Sequence, residues 1–181
     1  MIDGVLVMDD FLADPARYRA EALKGEFKTY DFETCSFHGI SAPAPQIVPE
    51  RLARMIPHLK YTLSFFRKSP AGQEEPHFIH TDVDMGEWSA ILYLNPTPPE
   101  SDGTSFWKND AAGVVESDVP HEYSNAGKTP EGWTLREFVD GKFNRLMIFR
   151  SSLFHSRAIY ENWGSGDTAR LTQVTFGTGA I

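Results

Sequence analysis

Apolar residues in this chain fall mostly in short runs bounded by Gly, Pro, Asn or Asp, a rhythm that suits strands better than long helices. Gly4 to Met8 is a first such run. Asp14-Pro15 then supplies an N-cap carboxylate and a first-turn proline for a helix that Gly25 ends. Gly39, Pro43 and Pro45 predict loop between Phe27 and Pro49, with a short strand around Phe37. A second helix opens at Pro49, carries Leu52, Met55 and Ile56 on one face, and stops at Pro57.

From Tyr61 the pattern changes to strands. Tyr61 to Arg67, Phe78 to Asp82, Trp88 to Asn95, Thr104 to Trp107, Asn144 to Phe149 and Arg170 to Phe176 are short and rich in aromatic or β-branched residues. Strands at this spacing predict a mainly β sandwich or barrel with flanking helices on its outside. Lys108 to Lys142 is too long for a hairpin turn. It reads either as a lid or as a surface excursion with a short helix near Glu131 to Phe138. The domain expectation is one unit over 1–181: a strand and supporting helices in 1–60, and the β core with the lid candidate 108–142 in 61–181.

At 181 residues and 41% hydrophobic, the chain is long enough to bury a core without disulfides. Cys35 is the only cysteine, so no intrachain disulfide forms. A net charge of −8, with no continuous track of Lys or Arg, argues against nucleic acid as a partner. No apolar stretch approaches the ~20 residues of a membrane span, and no leader pattern opens the sequence. The expectation is a soluble cytoplasmic protein; its oligomeric state is not legible.

Candidate chemistry begins at His80-Thr81-Asp82. In extended chain, side chains two residues apart point the same way, so His80 and Asp82 face one point and Thr81 faces away. His155 follows the apolar run Leu146-Met147-Ile148-Phe149 and the turn Ser151-Ser152. Two imidazoles and a carboxylate form the ligand set that covers one face of a non-haem ferrous ion and leaves the other open. A bare His-X-Asp is weak evidence, and its context carries the argument. His77, three residues before His80, is an alternative ligand if the register shifts. His38, His58 and His121 read as local hydrogen-bonding or surface groups, with His38 a candidate for the site entrance.

The context is an ordered set. A polar turn, Ala71-Gly72-Gln73-Glu74-Glu75-Pro76, precedes His80-Thr81-Asp82; then come a strand ending in Tyr93-Leu94-Asn95, the element Gly103-Thr104-Ser105-Phe106, His155 after its apolar strand, and Arg170 opening the last strand. From Tyr61 to Phe176 this order resembles the iron(II)- and 2-oxoglutarate-dependent dioxygenases, in particular their prolyl-4-hydroxylase-like branch. Asp102 departs from the pattern, standing where the first of two glycines is usual.

The resemblance implies a double-stranded β-helix, a jelly-roll or cupin-like barrel, holding Fe(II) through His80, Asp82 and His155. It also implies that Arg170 binds the far carboxylate of 2-oxoglutarate, which suits a planar, permanently charged guanidinium. Arg157, two residues past His155, is the rival for that role and a candidate cosubstrate or substrate contact. Tyr93, Thr172 and Thr104 are candidate hydroxyls of the cosubstrate pocket. The implied reaction uses O2 to hydroxylate a small molecule or peptide side chain, releasing succinate and carbon dioxide; retention of Asp82 favours hydroxylation over halogenation. Two alternatives stay open: a cupin-type metalloenzyme that does not use 2-oxoglutarate, and a non-enzymatic barrel that serves as a binding module.

Overall fold

A computed structural model describes residues 2–33, 35–124, 129–158 and 162–181. The elements in chain order are β1 (Val5–Met8), α1 (Pro15–Ala22), β2 (Lys28–Asp31), β3 (Ser36–Ser41), α2 (Ile47–Met55), β4 (Lys60–Ser69), β5 (Trp88–Tyr93), β6 (Gly103–Asn109), β7 (Trp133–Asp140), β8 (Leu146–Arg150), β9 (His155–Arg157), a short 3-10 turn (Gly166–Thr168) and β10 (Arg170–Thr178). Seven strands form one sheet in the order β1-β8-β5-β10-β4-β3-β2, and β7-β6-β9 form a second. Every named strand pair is antiparallel. The result is the mainly β jelly roll that the sequence predicted.

The centre of the large sheet, β8, β5 and β10, is buried on both faces, which explains why these strands read as continuous apolar runs rather than clean alternations. On its outer face Trp88, Ala90, Leu92, Leu146, Ile148 and Leu171 pack with Val48 and Leu52 of α2 and Ala22 of α1. On its inner face Val5, Met147 and Phe149 meet Phe106 and Val139 of the small sheet. The rings of Phe106 and Phe149 close edge-to-face at 5.4 Å. Inner and outer residues alternate along β5, so Ser89, Ile91 and Tyr93 face the barrel interior while Trp88, Ala90 and Leu92 face the helices.

The Asp14 side chain accepts from Arg17 N at 3.1 Å, the N-cap expected for α1. Several sequence expectations are corrected. The helix near Glu131 to Phe138 is instead β7, which pairs with β6 from Gly103↔Asp140 to Asn109↔Trp133. Its Thr-Leu-Arg-Glu-Phe-Val stretch has one polar face exposed, and cross-strand pairing decides the conformation that local propensity left open. Phe78 to Asp82 is not a regular strand; it contributes isolated bridging at Ile79 and His80, with His80 opposite His155. The 27–49 segment holds β2 as well as β3, and α2 starts at Ile47 rather than Pro49. Among the described residues no helix is long and apolar enough to cross a membrane.

Candidate metal centre

The turn between β8 and β9 brings the two halves of the triad together. His80 N donates to His155 O at 3.0 Å and His155 N donates back to His80 O at 2.9 Å; one step along, Asp82 N donates to Ser151 O at 2.8 Å. The His80-Thr81-Asp82 segment is thus laid by its backbone against the residues that lead into His155. One ligand atom from each of His80, Asp82 and His155 lies within 4.8 Å of the others.

Both imidazoles are oriented from behind. His80 Nδ1 lies 3.1 Å from Phe78 O, and His155 Nδ1 lies 3.0 Å from Leu153 O. A carbonyl only accepts, so each Nδ1 carries the proton and each Nε2 is left to face the centre. Those Nε2 atoms approach the Asp82 carboxylate at 3.5 Å from His80 and 3.2 Å from His155. Ser89 Oγ donates to Asp82 Oδ2 at 2.9 Å and lies 2.9 Å from Ser151 Oγ, so the carboxylate is itself held. Burial pushes the Asp82 carboxyl up, but His155 and His80 outweigh it and hold the group well below the usual carboxylate range. His155 moves the opposite way: burial works to lower it, and Asp82 together with the Leu153 carbonyl raises it. The donor set, two Nε2 atoms and one ionised carboxylate on buried supports, fits a divalent first-row metal and suits iron(II). Phe149, at 4.6 Å between ring centroids, walls His155 from the core side.

A second polar cluster lies at the opposite end of the Ser89-Ile91-Tyr93 row. Ser89 touches the triad, and Tyr93 lies roughly 13 Å along the strand at about 3.3 Å per residue. Between them Ile91 and its cross-strand neighbour Val174 are only half-buried, leaving an apolar bed. At the far end Tyr93 OH lies 2.7 Å from Thr104 Oγ1, and burial pushes the phenol up to about 12. The Arg170 guanidinium sits 5.9 Å from the Tyr93 ring centroid, and Arg170 Nε donates to Asp102 Oδ1 at 2.8 Å. Burial disfavours the Arg170 charge, but Asp102, with Tyr93 and Glu75, outweighs it and raises its pKa. Thr172 is buried opposite both Tyr93 on β5 and Arg67 on β4.

The structure therefore brings His80, Asp82 and His155 to one point, and Arg170, Tyr93, Thr104 and Thr172 to another, between the two sheets. Arg157 lies two residues beyond His155, opposite Thr104. Its Nη1 meets Glu75 Oε1 at 3.2 Å and donates to Asn162 Oδ1; burial lowers this guanidinium to about 10 despite Glu75. His77 is outside the triad, its ring 6.3 Å from His80 and 5.5 Å from His121. The usual double glycine is not needed at Asp102: Gly103 takes φ +154°, and a Cβ there would lie 2.1 Å from Val139 O, so one glycine makes the close approach.

Sequence reasoning missed Arg67, Glu75, Asn162, Ser89 and the partner role of Asp102. Glu75 binds Arg67, Arg157 and Asn162 and so joins the segment before His80 to the one after His155. The alternation of β4 offered a signal for Arg67, since it falls on the same face as Phe65. Nothing in sequence marked Glu75 among the acidic turn residues.

No protein-family model matches the sequence, and no curated protein matches it. Solved structures match over nearly the whole chain. The epimerase SnoN in complex with Fe3+, alpha ketoglutarate and nogalamycin RO superposes with a TM-score of 0.59 at 16% identity, covering 96% of this chain and 78% of that one. HygX from Streptomyces hygroscopicus, solved with nickel, 2-oxoglutarate and hygromycin B, gives 0.59 at 14% identity over 95% and 81%. A prolyl hydroxylase from Trichoplax adhaerens, in complex with a hypoxia inducible factor peptide fragment, gives 0.59 at 13% identity over 97% and 83%. The chain thus has the double-stranded β-helix fold of these enzymes.

Proposed function

We propose that this protein is an iron(II)- and 2-oxoglutarate-dependent oxygenase that hydroxylates a small metabolite or a peptide side chain. The observation that carries the reading is the pairing of two centres between the two sheets: a His-Asp-His set with both Nε2 atoms turned inward, and a buried arginine across an apolar bed. His80, Asp82 and His155 hold the iron. Arg170 receives the far carboxylate of 2-oxoglutarate, with Thr172 and the Tyr93 hydroxyl beside it, and Ile91 and Val174 line the chain between.

Iron with 2-oxoglutarate supplies the oxidising power: one oxygen atom of O2 ends in succinate as carbon dioxide leaves, and the other ends in the hydroxyl of the substrate. The protein's own work is orientation and exclusion. Phe78 O and Leu153 O fix the imidazole tautomers, Ser89 fixes Asp82, and Phe106 and Phe149 keep water from the core side of the centre. SnoN is named an epimerase and SnoK a carbocyclase, so this fold carries more than one outcome and the product must be read directly.

The experiment is an anaerobic titration of the metal-free protein with iron(II), then 2-oxoglutarate, following the broad visible charge-transfer band of the chelate. A saturating band that weakens in Arg170→Met supports the reading. Iron binding with no band at any 2-oxoglutarate concentration would assign the protein to the cupin-type metalloenzymes, an alternative favoured by one observation, the carboxylate already seated on Arg170.

A further inference from the structure

We propose that the far carboxylate of the cosubstrate is received by two arginines, Arg67 on β4 together with Arg170 on β10. This rests on the 2-oxoglutarate reading above and goes beyond it in assigning a binding role to a residue no motif marks.

Arg67, Thr172 and Tyr93 stand directly opposite one another on three adjacent strands, β4, β10 and β5. Opposite residues on neighbouring strands share a face and lie about 5 Å apart, so all three side chains enter the barrel at the level of the far pocket. Arg170 is the next inward residue of β10. The Arg67 side chain is 20% exposed, that of Arg157 18% and that of Arg170 7%, against 8% for Glu75 and 2% for Asp102. Among the described residues three guanidiniums are thus largely shielded from water with two carboxylates, once Asp82 is assigned to the metal.

The like charges act on one another. Arg170 opposes the charge on Arg67, and Glu75 binds both Arg67 and Arg157, which places the three guanidiniums in one cluster. Burying like charges together is costly unless an anion joins them. Arg157 is engaged by Glu75 and Asn162. Arg67 gives Nη2 to Glu75, while its Nε is buried without a hydrogen-bond partner. Arg170 gives Nε to Asp102, and its Nη edge has no protein acceptor among the described residues. The two side chains hold back complementary edges, and a carboxylate has acceptor sites for both.

The test compares 2-oxoglutarate with 2-oxobutyrate, a 2-oxo acid that chelates iron in the same way but has no far carboxylate. Anaerobic titrations of the iron(II) protein are followed by calorimetry and by the charge-transfer band. Arg67→Met is expected to weaken 2-oxoglutarate about tenfold or more while leaving 2-oxobutyrate unchanged, and Arg67→Lys to give a smaller loss of the same selectivity. Glu75→Gln, which removes a negative charge and leaves Arg67 in place, is expected to bind 2-oxoglutarate at least as tightly as wild type.

Unchanged 2-oxoglutarate affinity in Arg67→Met overturns the proposal. So does an equal loss for both acids, or parallel losses in Arg67→Met and Glu75→Gln, since a merely structural role produces those patterns. Should Arg67→Met fail to fold, the selectivity of Arg67→Lys decides. If wild type itself binds neither acid, it is the cosubstrate reading that fails.

Discussion

Arg170 Nε and Asp102 Oδ1 meet at 2.8 Å inside the barrel, both side chains almost wholly shielded from water. Asp102 therefore does more than replace a glycine: it fixes the guanidinium by one edge. Removing one member of a buried pair leaves the other charge uncompensated, typically at a cost of about 3–5 kcal/mol. Asp102→Ala is expected to lower thermal stability by an amount in that range, and iron(II) with 2-oxoglutarate is expected to recover more of it than the same ligands add to wild type, because the incoming carboxylate supplies the missing charge. Thermal denaturation with and without the two ligands, under nitrogen, checks both halves.

An acid-dependent contribution sits close by, at the segment that hydrogen-bonds to Asp102 and Tyr93. Asp9, just after β1, accepts from Arg145 Nε at 2.6 Å and from Lys142 Nζ at 2.9 Å, tying the first strand to the β7–β8 connection. The Arg145 hydrogen bond, then that of Lys142, hold the Asp9 carboxyl well below the usual carboxylate range. A carboxyl depressed on folding adds stability that is present above the unfolded value near 4 and is lost as pH falls through its folded value. Because the Asp9 side chain is 37% exposed, screening keeps the contribution small, about 1 kcal/mol or less. Denaturant unfolding of Asp9→Asn against wild type is expected to show that gap at pH 7, a smaller one in high salt, and its progressive closure as pH falls below about 4.

Thr81, the middle residue of the candidate metal-binding tripeptide, has its Oγ1 buried and without a partner. An unpaired buried hydroxyl costs free energy, and valine has nearly the same shape without it. Thr81→Val is expected to be neutral or to stabilise by about 1 kcal/mol, with iron(II) affinity unchanged. A clear drop in iron affinity in this variant would mean that Thr81 supports the ligands in a way its unpaired hydroxyl does not suggest.

How far the sequence led depended on whether a residue's role was set locally. The apolar runs of β5 and β8, the Asp14-Pro15 helix start, and the order of His80, Asp82, His155 and Arg170 are each readable within a few residues. The β7 strand was missed because its Thr-Leu-Arg-Glu-Phe-Val stretch satisfies helix and strand preferences alike, and only pairing with β6 settles it. Glu75 was missed for a related reason. It is one of two adjacent glutamates in a polar turn, yet it alone lies between Arg67 and Arg157, brought there by β4 and β9. Charge pairing between distant strands leaves no periodic trace in a single sequence.

Ser89 offers the sharpest separation between holding the metal and holding the cosubstrate. It and Ser151 are fully buried, their hydroxyls 2.9 Å apart, and Ser89 donates a hydrogen bond to Asp82 Oδ2. Among the described residues the carboxylate's other side-chain neighbours are the two imidazoles, so Ser89 is the hydroxyl donor that fixes its rotation. Groups that orient a metal ligand from behind typically change metal affinity by about 10–100-fold when removed. Ser89→Ala is expected to weaken iron(II) binding within that range. Once iron is saturating, the affinity for 2-oxoglutarate should stay near wild type, because the Arg170 end of the row is untouched. Titration with iron(II), followed by 2-oxoglutarate at saturating metal, reads the two effects apart. Unaltered iron affinity would show that the backbone bond from Asp82 N to Ser151 O orients the carboxylate without help.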